Sequence, residues 1–291
     1  MRRSSIKLII CIILIITVAG CNTLSEEEKE KFREAIKNDD RRYIEYILSK
    51  GVNLNNEKVF GYVPLHIAAR FNNIELIELF LKHGADINCV NEWMQNCLFF
   101  TYDVDTIKYL IEHGANVNQV NVNGFTPLLG AARNYEVAKL YIEMGADYNH
   151  QDRNGNSILF FAIMYKNFEL IKYLIDAKVV NVNNVNELGL NALILHIMCG
   201  SKGKYKNTSI YKKIIIYLIK GGININHQDN DGNTALHIAI KVRQNNEIIK
   251  LLLDNGADVN IKNKNGKTPL DIAMEKGDKD IINLLKMYAK K

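Results

Sequence analysis

The chain has 291 residues, 47% of them hydrophobic, with 3 prolines against 18 glycines; this composition argues against a disordered or collagen-like protein, and the length suits two domains or one elongated array better than a single compact domain. Its formal charge of +5 is front-loaded, because Arg2, Arg3 and Lys7 all precede Glu26, the first acid. Beyond residue 20 there are 34 basic and 32 acidic residues, a balance that gives no reason to expect nucleic acid as a partner.

Residues 1–20 begin basic (MRRSSIK), continue as an apolar run from Leu8 to Val18, and end on the small residues Ala19 and Gly20. This is the layout of a secretory signal peptide. The run has 11 residues, whereas a membrane-spanning helix needs about 20, so an uncleaved anchor is the weaker reading. Three roles compete for Cys21 at the seam: a packed thiol, half of a disulfide, or a site of covalent modification. The segment Val18-Ala19-Gly20-Cys21 resembles the lipobox of bacterial lipoproteins. That resemblance implies cleavage before Cys21, acyl chains on its thiol, and a protein tethered to a membrane of the bacterial cell envelope, facing the extracytoplasmic side. The tether Asn22 to Ser25 reaches at most about 14 Å. Ser25 followed by Glu28 predicts a capping box that starts a helix at once.

The rest of the chain repeats itself. HGADIN (83–88) returns as HGANVN (113–118), MGADYN (144–149), GGININ (221–226) and NGADVN (255–260), with a looser KGVNLN at 50–55. GYVPLHIAA (61–69) returns as GFTPLLGAA (124–132), GNSILFFAI (155–163), GLNALILHI (189–197), GNTALHIAI (232–240) and GKTPLDIAM (266–274). From Gly51, Gly84, Gly114, Gly145, Gly222 and Gly256 to residues 64, 97, 127, 158, 235 and 269 is thirteen positions each time.

Thr126-Pro127 and Thr268-Pro269 place a capping hydroxyl before a proline at the first helical position, where no donor is lost. Leu128, Ala131 and Ala132 follow at helical spacing, the small alanines admitting a close neighbour. A second helix, as in IELIELFLKHG (74–84), carries an apolar stripe and ends at Gly84, which tolerates the left-handed backbone of a helix end. Stretches such as NHQDRNGN (149–156) read as hairpin-like loops. From about Glu26 to Lys290 the chain resembles the ankyrin-repeat family. An all-α solenoid of about eight stacked helix-turn-helix units is expected, because one helix pair cannot bury both of its apolar sides while a stack can.

The expected segments are 1–20 (signal peptide), 21–25 (lipidated cysteine and tether), then repeats near 26–56, 57–90, 91–120, 121–151, 152–185, 186–228, 229–262 and 263–291. The first and last look like caps. Repeat three departs from the pattern with Met94 at the loop-glycine position, Cys97 at the proline position, and a second helix that arrives early. Repeat five has Lys178 near its glycine position. Repeat six carries an insertion, CGSKGKYKNTS (199–209).

Catalytic chemistry is not visible: no nucleophile has an assignable base, and neither a cofactor nor a metal is expected. Asp39 and Asp40 fall in a solvated turn. His83 and His113 occupy equivalent positions in consecutive repeats, roughly 8 to 10 Å apart, too far to share one zinc ion. His150 and His227 read as solvated polar residues. Cys89 and Cys97 flank one loop and could pair across it, though free thiols are the better reading for both and for Cys199.

The family resemblance further implies that His66 and His237 form internal hydrogen-bond bridges, and that partners dock on a concave side built from loop tips and first-helix ends. By position the tips are Phe60, Tyr62, Trp93, Phe125, Arg153, Leu188 and Leu190, and the helix ends Arg70, Phe71, Arg133 and Tyr165. Aromatic and arginine side chains dominate interface energetics. Lys264 and Lys267 read as solvated. The expected function is a monomeric, membrane-anchored, non-catalytic scaffold for an unknown protein partner. The alternatives are a small-molecule- or metal-handling accessory factor for an envelope enzyme, and a structural spacer.

Overall fold

Helix starts are written locally in this chain. In the computed structural model, which describes residues 23–58, 61–200 and 209–289, Ser25 accepts from the Glu28 N–H at 3.2 Å while the Glu28 carboxylate accepts from the Ser25 N–H at 3.0 Å, the expected capping box. It opens α1 (Glu26–Asn38), which pairs with α2 (Arg41–Ser49). The expected leader, Cys21, Phe60 and most of the insertion after Cys199 lie outside the described residues.

The described residues contain 15 α-helices and no strand, and an isolated bridge joins Val185 and Asn191. They form eight pairs and divide into two compact units, Met1–Gln119 and Val120–Lys291. The first unit holds α1 and α2, then α3 (Pro64–Arg70) with α4 (Ile74–Lys82), then a 3-10 turn at Cys97–Phe99 with α5 (Val104–Glu112). The second holds α6 (Pro127–Gly130, continued by a 3-10 turn at Ala131–Arg133) with α7 (Tyr135–Glu143), α8 (Ile158–Met164) with α9 (Phe168–Asp176), and α10 (Ala192–Cys199) with α11 (Ser209–Lys220). Its last two pairs are α12 (Ala235–Lys241) with α13 (Asn246–Asp254), and α14 (Pro269–Lys276) with α15 (Lys279–Tyr288).

Within each unit, first helices stack on first helices of the next pair. Ala68, Ala69, Ala131, Ala132, Ala162, Ala239 and Ala273 are all fully buried there, so their small size sets the close approach. Phe32 meets Phe80 edge-on at 6.1 Å in the first unit. Tyr141, Phe160, Ile171, Leu193, Ile215 and Leu236 fill the second. Each such side chain contributes about 1.5–3 kcal/mol relative to exposure.

Loop chemistry explains the repeated strings. The Asn88 side chain that ends HGADIN donates through Nδ2 to the Gly114 carbonyl at 2.9 Å and accepts from the Asn116 N–H at 2.7 Å. Asn55, Asn183 and Asn226 make the same two-ended bridge to Gly84, Gly222 and Gly256. Each bridge satisfies backbone groups that a helix end leaves open. The loop tips close like hairpins, as where the Asp152 N–H donates to the Asn156 carbonyl at 3.0 Å. Met94 and Lys178 keep the left-handed backbone of the glycines they replace, with φ of 60° and 53°. The first helix of repeat three shrinks to its 3-10 turn, and α5 starts early, as expected.

Two first helices lack a side-chain cap bond, α8 after Ser157 and α3 after Val63. α12 starts after Thr234, whose hydroxyl lies 2.9 Å from His237 Nδ1 and accepts from the His237 N–H. α3 starts after Val63, which has no hydroxyl to offer, and the Nδ1 of the equivalent His66 has no partner. Val63→Thr is expected to raise stability by about 1 kcal/mol by supplying both contacts, read as a higher urea midpoint. A lower midpoint would show that the hydroxyl cannot reach them.

Candidate protein-interaction site

In the first unit the sequence expectations converge. Trp93 is 45% exposed, and its indole lies over Gly61, where an added Cβ would stand 3.8 Å from the ring. Tyr62 is 6.1 Å from that indole and packs edge-on against Phe100 at 5.3 Å. At the end of α3, Arg70 is exposed and Phe71 is 43% exposed. Tyr62, Arg70 and Phe71, with Arg33 and Lys37 from α1, border a groove of about 280 Å³ floored by His66, Ile67 and Phe100.

The sequence reading missed Arg33, Lys37 and Phe100. The first two sit on a helix that read only as a charged cap. Phe100 falls in the most irregular repeat, where the string that would have aligned it is broken.

His66 holds the floor in place. Its Nε2–H donates to the Cys89 carbonyl at 2.9 Å and its ring lies 5.0 Å from that of Phe100. Burial pushes its pKa down to about 4, partly opposed by that carbonyl, so the ring is neutral at pH 7. The bridging role expected for His66 and His237 is present, the latter's Nε2–H donating to the Lys267 carbonyl at 3.1 Å.

In the second unit, Arg133 lies over the Tyr165 ring at 4.4 Å, a cation–π contact. Tyr165 stacks on Phe161 at 6.4 Å, and Phe161 in turn meets Phe125 at 5.0 Å. Arg153 is exposed, and Leu188 is 63% exposed while its carbonyl accepts from the Asn230 N–H at 3.2 Å. Leu190 departs from expectation. It is only 5% exposed, although its tip is closed by the same pair of bonds to Asn186 that Phe125 makes with Asn121. It offers no surface to a partner. Beside Tyr165 a second groove of about 240 Å³ is lined by His196, Cys199, Ile210, Tyr211 and Ile214 among others.

One further expectation needs correction, and the free-thiol reading of the cysteines holds. His150 and His227 are not simply solvated: each Nε2–H donates to the tip carbonyl of its own repeat, Gly124 and Gly189 respectively, both at 2.7 Å. Cys89, Cys97 and Cys199 are free thiols. Cys97 donates to the Ile87 carbonyl at 3.4 Å and Cys89 to the Asn55 carbonyl at 3.6 Å, so the pairing allowed across the loop does not form. Burial pushes the Cys97 thiol up to about 12, which removes its thiolate reactivity. Among the described residues no group of three His, Cys, Asp or Glu side chains is placed to hold a metal ion, and no helix is long and apolar enough to cross a membrane.

Comparison with known proteins bears on the repeats directly. An ankyrin repeat model matches residues 60–92, and models of several ankyrin repeats match 91–152, 130–175 and 218–273. The chain belongs to the ankyrin-repeat family. It is similar to an ankyrin repeat protein of Acanthamoeba polyphaga mimivirus (28% identity over 232 residues, 70% of this chain and 29% of the relative) and to one of Fowlpox virus (34% over 153 residues, 47% and 45%). A phosphocholine transferase of Legionella pneumophila is 26% identical over 243 residues, 77% of this chain and 25% of that protein. This chain spans less than half the length of each of these relatives. Ankyrin repeats as a family form protein–protein interaction scaffolds.

Proposed function

We propose that this ankyrin-repeat protein is a monomeric, non-catalytic scaffold anchored by a lipidated Cys21 to a membrane of the bacterial cell envelope, facing the extracytoplasmic side, and that it captures a protein partner. The observation that carries the recognition half is the group of exposed Arg70, Phe71 and Trp93 around the half-buried Tyr62, with buried His66 and Ile67 beneath. Side chains already fixed in place lose little entropy when a partner arrives. Arg133 and Tyr165 supply a similar pair in the second unit.

The anchoring half is supported by the lipobox-like segment and by the fate of the tether. Leu24 is buried, and its N–H donates to Glu57 Oε1 at 3.2 Å. Only Asn22 and Thr23 then separate Cys21 from the packed first repeat, a leash of about 10 Å. A lipidated Cys21 would hold that repeat against the bilayer, and two or more acyl chains make such attachment stable.

Crosslinking in native membranes followed by identification of the captured protein is the test. Tyr62→Ala with Trp93→Ala is expected to remove most of the crosslinked partner, and Cys21→Ser to shift the protein out of the membrane fraction. Full retention of every partner by the double variant would leave a structural spacer as the better reading. Stoichiometric metal in the purified protein that is lost on mutating His150 or His227 would instead favour the metal- or ligand-handling alternative.

A further inference from the structure

The groove bordered by α1 and α3 combines walls of one charge sign with an aromatic lining. Arg33, Lys37 and Arg70 contribute positive charge, Tyr62, Phe71 and Phe100 contribute rings, and no carboxylate takes part in the lining. The acids that do meet these cations come from along α1: Glu30 lies 3.4 Å from Arg33 and Glu34 lies 3.2 Å from Lys37. Both pairs are solvent-exposed, so each holds its cation only weakly and yields to a better-placed anion. Among the described residues no carboxylate pairs with Arg70.

Size narrows the occupant. At about 280 Å³ the groove falls just below the roughly 300–1,000 Å³ of sites that enclose a small-molecule ligand. It suits one anchoring side chain with flanking backbone left outside. A long polyanion is disfavoured, because beyond the groove it would run along Glu26, Glu27, Glu28, Glu30 and Glu34 of α1. A point carboxylate placed between the three cations avoids that repulsion.

We propose that the groove receives a short acidic segment of a partner protein, in which one bulky apolar side chain sits on Tyr62, Phe71 and Phe100 while neighbouring Asp or Glu side chains reach Arg33, Lys37 and Arg70. Arginine is suited to this because its planar fork meets a carboxylate through two hydrogen bonds. The proposal rests on the protein-interaction reading above and adds the chemistry of the partner to it.

The test pans a random peptide library on the full-length chain, and in parallel on Arg33→Glu with Arg70→Glu and on the milder Arg70→Gln. Peptides enriched on the wild type are expected to share an aromatic or leucine residue beside Asp or Glu. A synthetic peptide of that consensus should bind the wild type about tenfold more tightly than it binds the double variant, and about tenfold more tightly than its own Asn/Gln isostere does, with Arg70→Gln intermediate. Unchanged circular dichroism and urea midpoints establish that the variants are folded.

A consensus without acids, a basic consensus, equal recovery on the variants, or no enrichment at all would overturn the proposal. If panning fails while crosslinking in membranes still depends on Tyr62 and Trp93, the acidic-segment inference falls and the interaction reading stands. If crosslinking is indifferent to that pair as well, both fall.

Discussion

Lowering the pH from about 7 to about 5 is expected to reduce stability by about 2 kcal/mol for each of two buried histidines, before most surface carboxylates titrate. His66 in the first unit is 1% exposed and His196 in the second 3% exposed. Burial pushes both down to about 4 from an ordinary 6.5, against the smaller upward pull of the Cys89 and Tyr211 carbonyls that their Nε2–H groups reach. Proton counting sets the sign. Below about pH 6.5 the unfolded chain protonates these rings, while the folded chain does so only below about pH 4, so their contribution is complete above the upper value and drains away between the two. His237, also buried and pushed down, acts in the same direction. Urea midpoints followed by circular dichroism at both pH values, for wild type, His66→Gln and His196→Gln, provide the measurement. Glutamine keeps an N–H for the carbonyl but does not titrate, so each variant should show a flatter pH response. Identical slopes in all three would refute the account.

Gly232→Ala is expected to cost about 3 kcal/mol or more, against about 1 kcal/mol for Gly256→Ala. Both glycines have positive φ, 77° and 92°, so both substitutions bear the left-handed strain. Space separates them. A Cβ on Gly256 would meet nothing within 4 Å, whereas on Gly232 it would stand 2.7 Å from the Lys264 backbone nitrogen and 3.1 Å from Asn263 Cα. That nitrogen donates to the Asp231 carbonyl at 3.0 Å, holding consecutive loop tips together, and a backbone atom cannot rotate aside. Gly124 and Gly155 show the same crowding against Arg153 and Asn186. Urea titration of the two alanine variants decides the matter. Equal costs would show that backbone angle alone governs these positions.

Much of the fold was legible because each helix pair is built from signals a few residues apart. Thr126 and Thr268 cap their helices as their place before proline suggests, and Asn55, Asn88 and Asn226, each ending such a string, bond to the glycine turn of the next repeat. Even the departures could be read: Met94 and Lys178 take the left-handed backbone because the turn around them demands it, whatever residue is present. The candidate site was less legible. His150 and His227 looked like solvated loop residues, yet their acceptors lie 26 and 38 positions earlier in the chain. Leu190 occupies the same string position as Tyr62 but is buried, a difference that no periodicity carries.

The amino-acid sequence by itself determined the repeat, the pairing of helices and the buried alanine seam, since these follow from side-chain size, capping chemistry and backbone angle over short spans. Tertiary structure alone decided which surface side chains meet. Arg33 and Lys37 of a cap helix join Tyr62, Arg70 and Phe100 from two later repeats only because stacking brings segments about thirty to seventy residues apart to one edge, and stacking distance is set by packing between modules, which no single module records.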